Sequence, residues 1–258
     1  MPDTIGFIGG GRITAIFLQA WKNAGLDLRH IVVGDPDPSV LARLEARFPD
    51  LETTADNAGP MAQDIVFLSL HPPVLKSVLP GLAPALKPAA TLVSLAPVLT
   101  FAKLSSLLGG HGRLVRMIPN APSLIGKGYN PLAFGPGATA DDRDRLRTLF
   151  RALGEAPEVA EDQLEAYAIL TAMGPTYFWP QWQVLRELGA AFHLPPEAAD
   201  QGLAAMLHGS VELLFASGLS FDQVMDTIPV KPLADAQEAM LAPFRAKLPA
   251  LHARLTAS

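Results

Sequence analysis

The chain has 258 residues, enough for one large or two modest domains, and its 49% hydrophobic content predicts a substantial core. The formal net charge of -5 argues against a nucleic-acid partner, no apolar run is long enough to span a membrane, and no secretory signal is expected. The absence of cysteine excludes disulfides and thiolate catalysis and favours a cytoplasmic location, and the scattered histidines predict no metal site.

Short apolar runs alternate with helix-compatible segments through the first 160 residues. The predicted strands are residues 4–9, 30–35, 64–70, 90–96, 113–118, 129–135 and 156–160. The predicted helices are 12–25, 38–48, 73–85, 100–109 and 139–154, the last with Thr139 as its N-cap. Because such runs fit strands buried on both faces of a parallel sheet, we predict an α/β fold, a doubly wound Rossmann-type dinucleotide-binding domain over residues 1–160.

The pattern changes to long helical segments after residue 160. Helices are predicted at 162–172, 175–193, 195–217 and 232–256, and no strand is predicted there. We therefore predict an all-helical domain over residues 161–258. Its many apolar residues predict burial against a second copy of the chain, so we expect a homodimer formed through this domain.

The run IGFIGGGRIT, residues 5–14, joins the first predicted strand to the first predicted helix. In this context Gly9 would allow a tight turn, and Gly11 would let the main chain approach a pyrophosphate at the helix N-terminus. The third position of the motif is Thr14 rather than glycine. A glycine turn without a ligand is the alternative interpretation.

Asp35 ends the second predicted strand, where an acid usually hydrogen-bonds the ribose of NAD and repels the 2′-phosphate of NADP. Asp35 therefore favours NADH, although GDPDP also fits a simple strand-ending turn. Arg12, inside the glycine loop, could reach a phosphate and so weakens the preference for NADH.

Prolines end several predicted strands where ligands bind in open α/β sheets. The strand ends are SLHPPV at 69–74, SLAPV at 94–98 and RMIPNAPSLIGKG at 116–128. Pro119 and Pro122 bracket Asn120, which predicts a polar side chain held rigidly at the ligand edge. The alternative is a structural turn in which Asn120 satisfies local backbone groups, and His71 is equally consistent with a turn residue.

Four segments resemble the Δ1-pyrroline-5-carboxylate reductase family in order and spacing over nearly the whole chain. They are GFIGGGRI at 6–13, RMIPNAPSLIGKG at 116–128, TAMGPTYFWPQWQVLRELG at 171–189 and AMLHGSVELLFASG at 205–218. The resemblance implies an NAD(P)H-dependent imine reductase. It also implies a Rossmann domain and a helical domain that interlocks two subunits, sometimes in larger rings of dimers.

The resemblance can be carried onto individual positions of this sequence. Arg12 and Ile13 stand where the family has Asn and Met, and His71 stands where it usually has Lys beside the cofactor. The matches to the later motifs are Arg116, Pro119, Asn120, Pro122, Gly174, Pro175 and Tyr177. Together the loop, the strand ends and the resemblance predict a cofactor-binding set of Gly9, Gly11, Arg12, Ile13, Asp35, His71, Pro72, Ala96 and Asn120.

The sequence departs from the family where substrate should bind. The S-P-G-G-T-T stretch, which in the family supplies main-chain amides and a Thr hydroxyl, is replaced by IPVKPL at 228–233. Pro232 has no N–H, so the cradle for a substrate carboxylate must differ. Lys231 is an obvious replacement cation, although a solvated surface lysine is the alternative. Thr176 and Tyr177 are candidates to donate to the imine nitrogen or to a substrate oxygen.

The leading hypothesis is reduction of a C=N bond in a small carboxylate-bearing substrate by NADPH or NADH, with proline biosynthesis as one setting. A relative that reduces a different imine or a keto acid is the second hypothesis, and Lys231 with its neighbours separates the two. A nucleotide-binding protein without catalysis is the third, and it would keep the glycine loop with a blocked substrate side.

Overall fold

In the computed structural model, which describes residues 3–257, strands and helices alternate as far as residue 155. The strands are β1 Ile5–Ile8, β2 Ile31–Gly34, β3 Glu52–Thr54, β4 Ile65–Leu68, β5 Thr91–Ser94, β6 Leu114–Met117, β7 Gly128–Tyr129, β8 Leu132–Phe134 and β9 Gly154–Glu155. The helices among them are α1 Arg12–Asn23, α2 Pro38–Arg47, α3 Ala58–Met61, α4 Pro72–Leu82, α5 Phe101–Leu107 and α6 Ala140–Phe150.

Seven of these strands form one sheet in the order β3-β2-β1-β4-β5-β6-β8, and within it β8 runs antiparallel to its neighbour. The order runs outward in both directions from β1, so the sheet is doubly wound and its order reverses between β1 and β4. The predicted α/β Rossmann-type fold class is confirmed. Strands β1, β4, β5 and β6 are parallel, so their C-terminal ends lie along one edge of the sheet. We call this edge the carboxyl edge.

The core has two layers because successive strand residues point to opposite faces of the sheet. On one face Phe7 and Phe67 stack with ring centroids 4.7 Å apart and pack with Phe17 and Trp21 of α1. On the other face the strands pack against α4 and α5. All four aromatic rings are fully buried, so truncating any of them to alanine would cost about 3–5 kcal/mol of folding free energy.

Residues 129–135 form two strands where the sequence predicts one. Pro131 has no N–H and interrupts the run, so β7 pairs with β9 in a separate small sheet while β8 pairs with β6. The prediction of a strand over 156–160 is wrong, because this segment makes only an isolated bridge between Glu158 and Leu132. Pro157 has no N–H to extend that ladder.

After residue 160 the described chain is helical, as predicted. The helices are α7 Leu164–Tyr167, α8 Pro175–Ala191, α9 Pro196–Ala216, α10 Phe221–Asp226 and α11 Gln237–Thr256. A turn of π-helix, Ala168–Ala172, follows α7. No helix within residues 3–257 is long and apolar enough to cross a membrane.

Residue contacts divide the chain into two units. The first unit comprises the residues up to Met173 and those from His252 onward, and the second unit comprises Gly174–Leu251. The first unit extends past residue 160 because Leu164 and Ala168 pack with Ile118 and Ala133, next to the sheet. The division into domains at 160 and 161, with cofactor and dimerisation roles, stays a prediction.

Candidate active site

The glycine loop lies at the carboxyl edge between β1 and α1. Gly9 has φ +103°, a conformation that glycine adopts readily, and a Cβ atom there would lie 2.7 Å from Leu70 Cδ2. At Gly11, in contrast, an added Cβ would have no atom within 4 Å. Gly11 is the N-cap of α1, which has no side-chain cap and no acidic residue in its first turn. The N-terminus of α1 is therefore accessible and electrostatically suited to an anion.

Thr14 occupies the third motif position without opening the loop. Its side chain is fully buried, and its hydroxyl donates a 2.6 Å hydrogen bond to the carbonyl of Gly9. The hydroxyl thus ties the first turn of α1 back to the tight turn. Ile13 is half-buried and packs part of its side chain against the core, and its contact with a cofactor stays a prediction.

Asp35 holds the glycine loop against the loop that follows β2. Its Oδ2 accepts from the Gly10 N–H at 2.8 Å, and its Oδ1 accepts from the Asp37 N–H at 2.9 Å. The structure therefore brings Asp35 next to the glycine loop, as the sequence predicts. Both carboxylate oxygens already have main-chain donors, which gives Asp35 a structural role in addition to any contact with a ribose.

A surface cavity of about 460 Å³ lies beside the glycine loop, between α1 and α2. Three arginines line it: Arg12, Arg43 and Arg47. Within the described part of the chain, no carboxylate forms an ion pair with any of the three guanidinium groups. The side-chain partner of Arg43 is the Ser39 hydroxyl, at 3.3 Å. The cavity therefore presents positive charge to whatever binds at the glycine loop.

His71, Pro72 and Ala96 lie at the ends of β4 and β5. His71 is the exposed N-cap residue of α4 and makes no side-chain cap hydrogen bond, and Pro72 is the first residue of that helix. The side chain of Leu70, the residue before His71, lies against Gly9, where it would meet any added Cβ atom. Ala96 is buried in the core, with its N–H 3.4 Å from Ser94 Oγ. These residues share the carboxyl edge with the glycine loop.

Asn120 is buried at the end of β6 and is engaged with main-chain groups. Its Oδ1 accepts from the Tyr129 N–H at 3.1 Å, and its Nδ2 lies 3.5 Å from the Thr171 carbonyl. This geometry matches the structural turn that the sequence left open as an alternative. Contact between Asn120 and a cofactor stays a prediction.

Thr176 and Tyr177 lie in the first turn of α8, in the second unit. The Tyr177 ring is half-buried and meets the Phe244 ring edge-on, with centroids 5.6 Å apart. Burial raises the pKa of the Tyr177 phenol, so its hydroxyl keeps its proton at neutral pH. Pro180 lies within α8, which continues through it to Ala191.

Lys231 lies in the exposed segment 228–233, which follows α10 and precedes a short 3₁₀ turn. Its carbonyl accepts from the Ala234 N–H at 3.2 Å, which closes a turn over Pro232 and Leu233. Pro229 and Pro232 have no N–H, so the segment cannot present four main-chain amides in a row as a Gly-Gly-Thr-Thr stretch would. The chemistry it offers instead is the Lys231 ammonium group.

Sequence analysis did not single out several residues near the carboxyl edge. Glu161 and Glu165 form ion pairs with Arg116, and the Val98 N–H donates to Glu165. The others are Arg43 and Arg47, which line the cavity. The arginines carried a usable signal, since they lie four residues apart on the helix after Asp35. The strained conformation of Val98 had no such signal in the sequence, because no pattern of side chains predicts a positive φ at valine.

A doubly wound sheet with an accessible glycine loop at the point where its strand order reverses is typical of pyridine-nucleotide-dependent oxidoreductases. The family model described as NADP oxidoreductase, coenzyme F420-dependent, matches residues 4–97, which hold β1 to β5. Within residues 3–257, no group of three or more His, Asp or Glu side chains is arranged to hold a metal ion.

The most informative relatives share one description. Pyrroline-5-carboxylate reductase of Pseudomonas aeruginosa is 29% identical over 215 residues, which cover 83% of this chain and 78% of that protein. The structure of the Coxiella burnetii pyrroline-5-carboxylate reductase matches with a TM-score of 0.72 and 25% identity, over 99% of this chain and 95% of that one. The Plasmodium falciparum pyrroline carboxylate reductase with NADP bound has the same fold, with a TM-score of 0.84 at 21% identity, over 99% and 97%. The chain is therefore similar to pyrroline-5-carboxylate reductases over most of its length.

Proposed function

We propose that this protein is an NAD(P)H-dependent reductase that reduces a C=N bond in a small, carboxylate-bearing substrate, as a pyrroline-5-carboxylate reductase does. The observation that carries the proposal is the similarity to those enzymes over most of the chain, combined with an accessible glycine loop at the carboxyl edge. Proline biosynthesis is the setting we propose for the reaction, and the cytoplasm is our prediction for its location.

The first unit fits a pyridine nucleotide. The uncapped N-terminus of α1 and the clearance above Gly11 suit the pyrophosphate, and the strand order supports a nicotinamide half along the ends of β4 and β5. When bound, the reduced cofactor supplies a hydride to the imine carbon. The residues of this chain supply binding, orientation and a proton donor.

We propose NADPH as the reductant. Asp35 by itself favours NADH, but its carboxylate is held by two main-chain donors. Arg12, Arg43 and Arg47 line the adjacent cavity without carboxylate partners, and an arginine near the ribose accommodates a 2′-phosphate. Three arginines beside the two carboxylates Asp35 and Asp37 leave a net positive charge, which supports the phosphorylated cofactor.

Reduction of an imine needs a donor at the nitrogen as well as a hydride at the carbon. Tyr177, a phenol in the first turn of α8, is the hydrogen-bond donor that we propose for this role. Thr176 is the neighbouring hydroxyl that we propose for the substrate oxygens. A protonated cyclic imine needs little further activation, so positioning is the main contribution of the protein.

The substrate carboxylate requires a partner, which we propose is Lys231. An ammonium group pairs with a carboxylate as a point charge and does not need the aligned amides of a Gly-Gly-Thr-Thr stretch. The replacement also changes the groups that the segment offers to a substrate, so a different cyclic imine or a keto acid stays as the alternative substrate class.

We propose a homodimer formed through the second unit. Phe192 and Phe215 are 70% and 81% exposed, and they belong to a set of large apolar side chains that no part of the described chain covers. The others with at least half of their surface exposed in this unit are Val184, Leu194, Val211, Phe221, Ile228, Val230 and Leu233. Apolar exposure on this scale is typical of a subunit interface. A larger ring of dimers is a further assembly consistent with the family resemblance.

The decisive experiment is to mix the purified protein with pyrroline-5-carboxylate and follow the loss of reduced-nicotinamide absorbance, separately with NADPH and NADH. Turnover above about 1 per second is expected, with NADPH the faster reductant. Nucleotide binding without turnover of this substrate would contradict the proposed reaction. A screen of other cyclic imines and keto acids would then separate an altered substrate from a non-catalytic nucleotide-binding protein.

A further inference from the structure

Arg116 is the centre of a buried charge network beside the loop that joins β5 to α5. The guanidinium is 1% exposed, and it contacts Glu161 Oε1 through Nη1 at 3.0 Å and Glu165 Oε1 through Nη2 at 2.5 Å. Each of these carboxylate oxygens accepts a second hydrogen bond from the main chain of the loop. Glu165 Oε1 accepts from the Val98 N–H at 2.9 Å, and Glu161 Oε1 accepts from the Phe101 N–H at 2.6 Å.

Val98 has a backbone conformation that valine rarely adopts. Its φ is +77°, in the left-handed region, where a β-branched side chain is a genuine outlier. Such a conformation persists only where the surroundings impose it. Here the Val98 N–H points to Glu165 Oε1, and Arg116 holds that oxygen in place.

The strained residue lies at the carboxyl edge. Val98 follows Ala96 by two residues, and β5 pairs directly with β4, next to the point where the strand order reverses. In a doubly wound sheet the second half of a dinucleotide crosses the ends of these strands. The conformation at Val98 therefore sets the path of the main chain that faces the nicotinamide half.

We infer that Glu165 is a positioning residue for the nicotinamide: held by Arg116, it fixes Val98 in the left-handed conformation and so sets the place of the loop Ala96–Val98. Glu165 touches neither cofactor nor substrate in this role and acts through the Val98 N–H. This inference rests on the proposed use of a nicotinamide cofactor. Glu161 is the matched comparison, since it shares Arg116 but anchors the first residue of α5 instead.

The test measures binding by titration calorimetry for two ligands, NADPH and 2′-phospho-ADP-ribose, which lacks the nicotinamide. Glu165→Leu removes the acceptor of the Val98 N–H and is expected to weaken NADPH binding about tenfold and to leave 2′-phospho-ADP-ribose within about twofold, because only the nicotinamide half faces the loop. Glu161→Leu is expected to leave both affinities within about twofold. Equal weakening of the two ligands by Glu165→Leu, or an unchanged NADPH affinity, would overturn the inference.

A second variant separates positioning from general destabilisation. Glycine adopts a positive φ without strain, so Val98→Gly is expected to make the loop less dependent on Glu165. In that background Glu165→Leu should weaken NADPH binding by less than about threefold, and an undiminished tenfold loss would overturn the inference. If the variants differ from the wild type in binding as expected but the wild type does not reduce pyrroline-5-carboxylate, the proposed function fails and the role of Glu165 stands.

Discussion

Lys231 is the residue on which the choice of substrate depends. Replacing Lys231 with alanine removes the cation proposed to pair with the substrate carboxylate, while the exposed backbone turn around it stays intact. KM for pyrroline-5-carboxylate should rise about tenfold or more, and KM for NADPH should change by less than about twofold. Steady-state kinetics with each substrate varied in turn checks this.

Lys247 offers the matched control for Lys231, since it is a lysine of the same unit in the middle of α11. Lys247→Ala is expected to leave both KM values unchanged. If Lys231→Ala behaves like Lys247→Ala, Lys231 is a surface lysine and the carboxylate is bound elsewhere.

Arg43 tests the choice of reductant. Arg43→Met keeps the length of the side chain and removes the charge, so KM for NADPH should rise about tenfold while KM for NADH stays within about twofold. Arg29→Met is the control, because Arg29 is a surface arginine paired with Asp27 rather than a residue of the cavity. Equal effects of Arg43→Met on the two cofactors would show that this cavity does not bind the 2′-phosphate.

Among the residues of the site, some positions could be predicted from the sequence and others could not. The glycine loop and Asp35 lie together as predicted, because their motif encodes the backbone conformation directly. The positive φ of Val98 is not encoded in its own side chain. It depends on Glu165, which is 67 residues away in sequence, and no local pattern reports such a contact.

Helix α6 begins with a capping box that is also a buried ion-pair network. Thr139 Oγ1 and Asp142 satisfy each other's main-chain N–H groups, and the fully buried Asp142 side chain also accepts from Thr91, Arg113 and Arg145. Burial alone would raise the pKa of Asp142, but the hydrogen bonds from Arg113, Thr91 and Thr139 outweigh it and hold that pKa well below its usual range. The network joins α6 to the starts of β5 and β6.

This depressed pKa predicts how stability depends on pH. A carboxyl group whose folded-state pKa lies below its unfolded value stabilises the fold above the unfolded pKa, about 3.9, and loses that contribution as pH falls through the folded pKa. Asp142→Asn should therefore lower the free energy of unfolding by about 2 kcal/mol or more at pH 7, and by less at pH 3. Urea unfolding at both pH values measures this.

Asp144→Asn, at an exposed position of the same helix, is the control for Asp142→Asn. It should change the unfolding free energy by less than about 0.5 kcal/mol at either pH. A loss for Asp142→Asn that is the same at pH 3 as at pH 7 would contradict the ionised, hydrogen-bonded state of Asp142.

At the level of elements, the strands that the sequence did not reveal are those without an apolar run. β3 is Glu-Thr-Thr, its first residue is exposed, and it lies at the edge of the sheet, so it lacks the periodicity of a buried strand. β9 has two residues and depends on Gly154 at φ +116° to bring it beside β7. Apolar strands such as β4 were predictable because all four of its residues are buried and apolar.

For the whole molecule, the exposed apolar side chains of the second unit predict self-association. Sedimentation velocity at micromolar concentration should show a dimer. Phe215→Glu, which places a charge at a phenylalanine that is 81% exposed, should shift the protein toward monomer. Ile125→Glu is the control, since Ile125 is 69% exposed but belongs to the first unit. A wild-type protein that sediments as a monomer would contradict the proposed assembly.

The return of the chain to the first unit after Leu251 has a consequence for biosynthesis. Leu255 and Thr256 line a cavity of about 210 Å³ together with Val98, Arg116 and Glu165. A ribosome releases the chain from its N-terminus, so the sheet and the whole second unit emerge before these two residues do. The surroundings of the Arg116 network are therefore completed only after the second unit has emerged, and a nascent chain paused within α11 would hold a formed sheet with this wall of the cavity still missing.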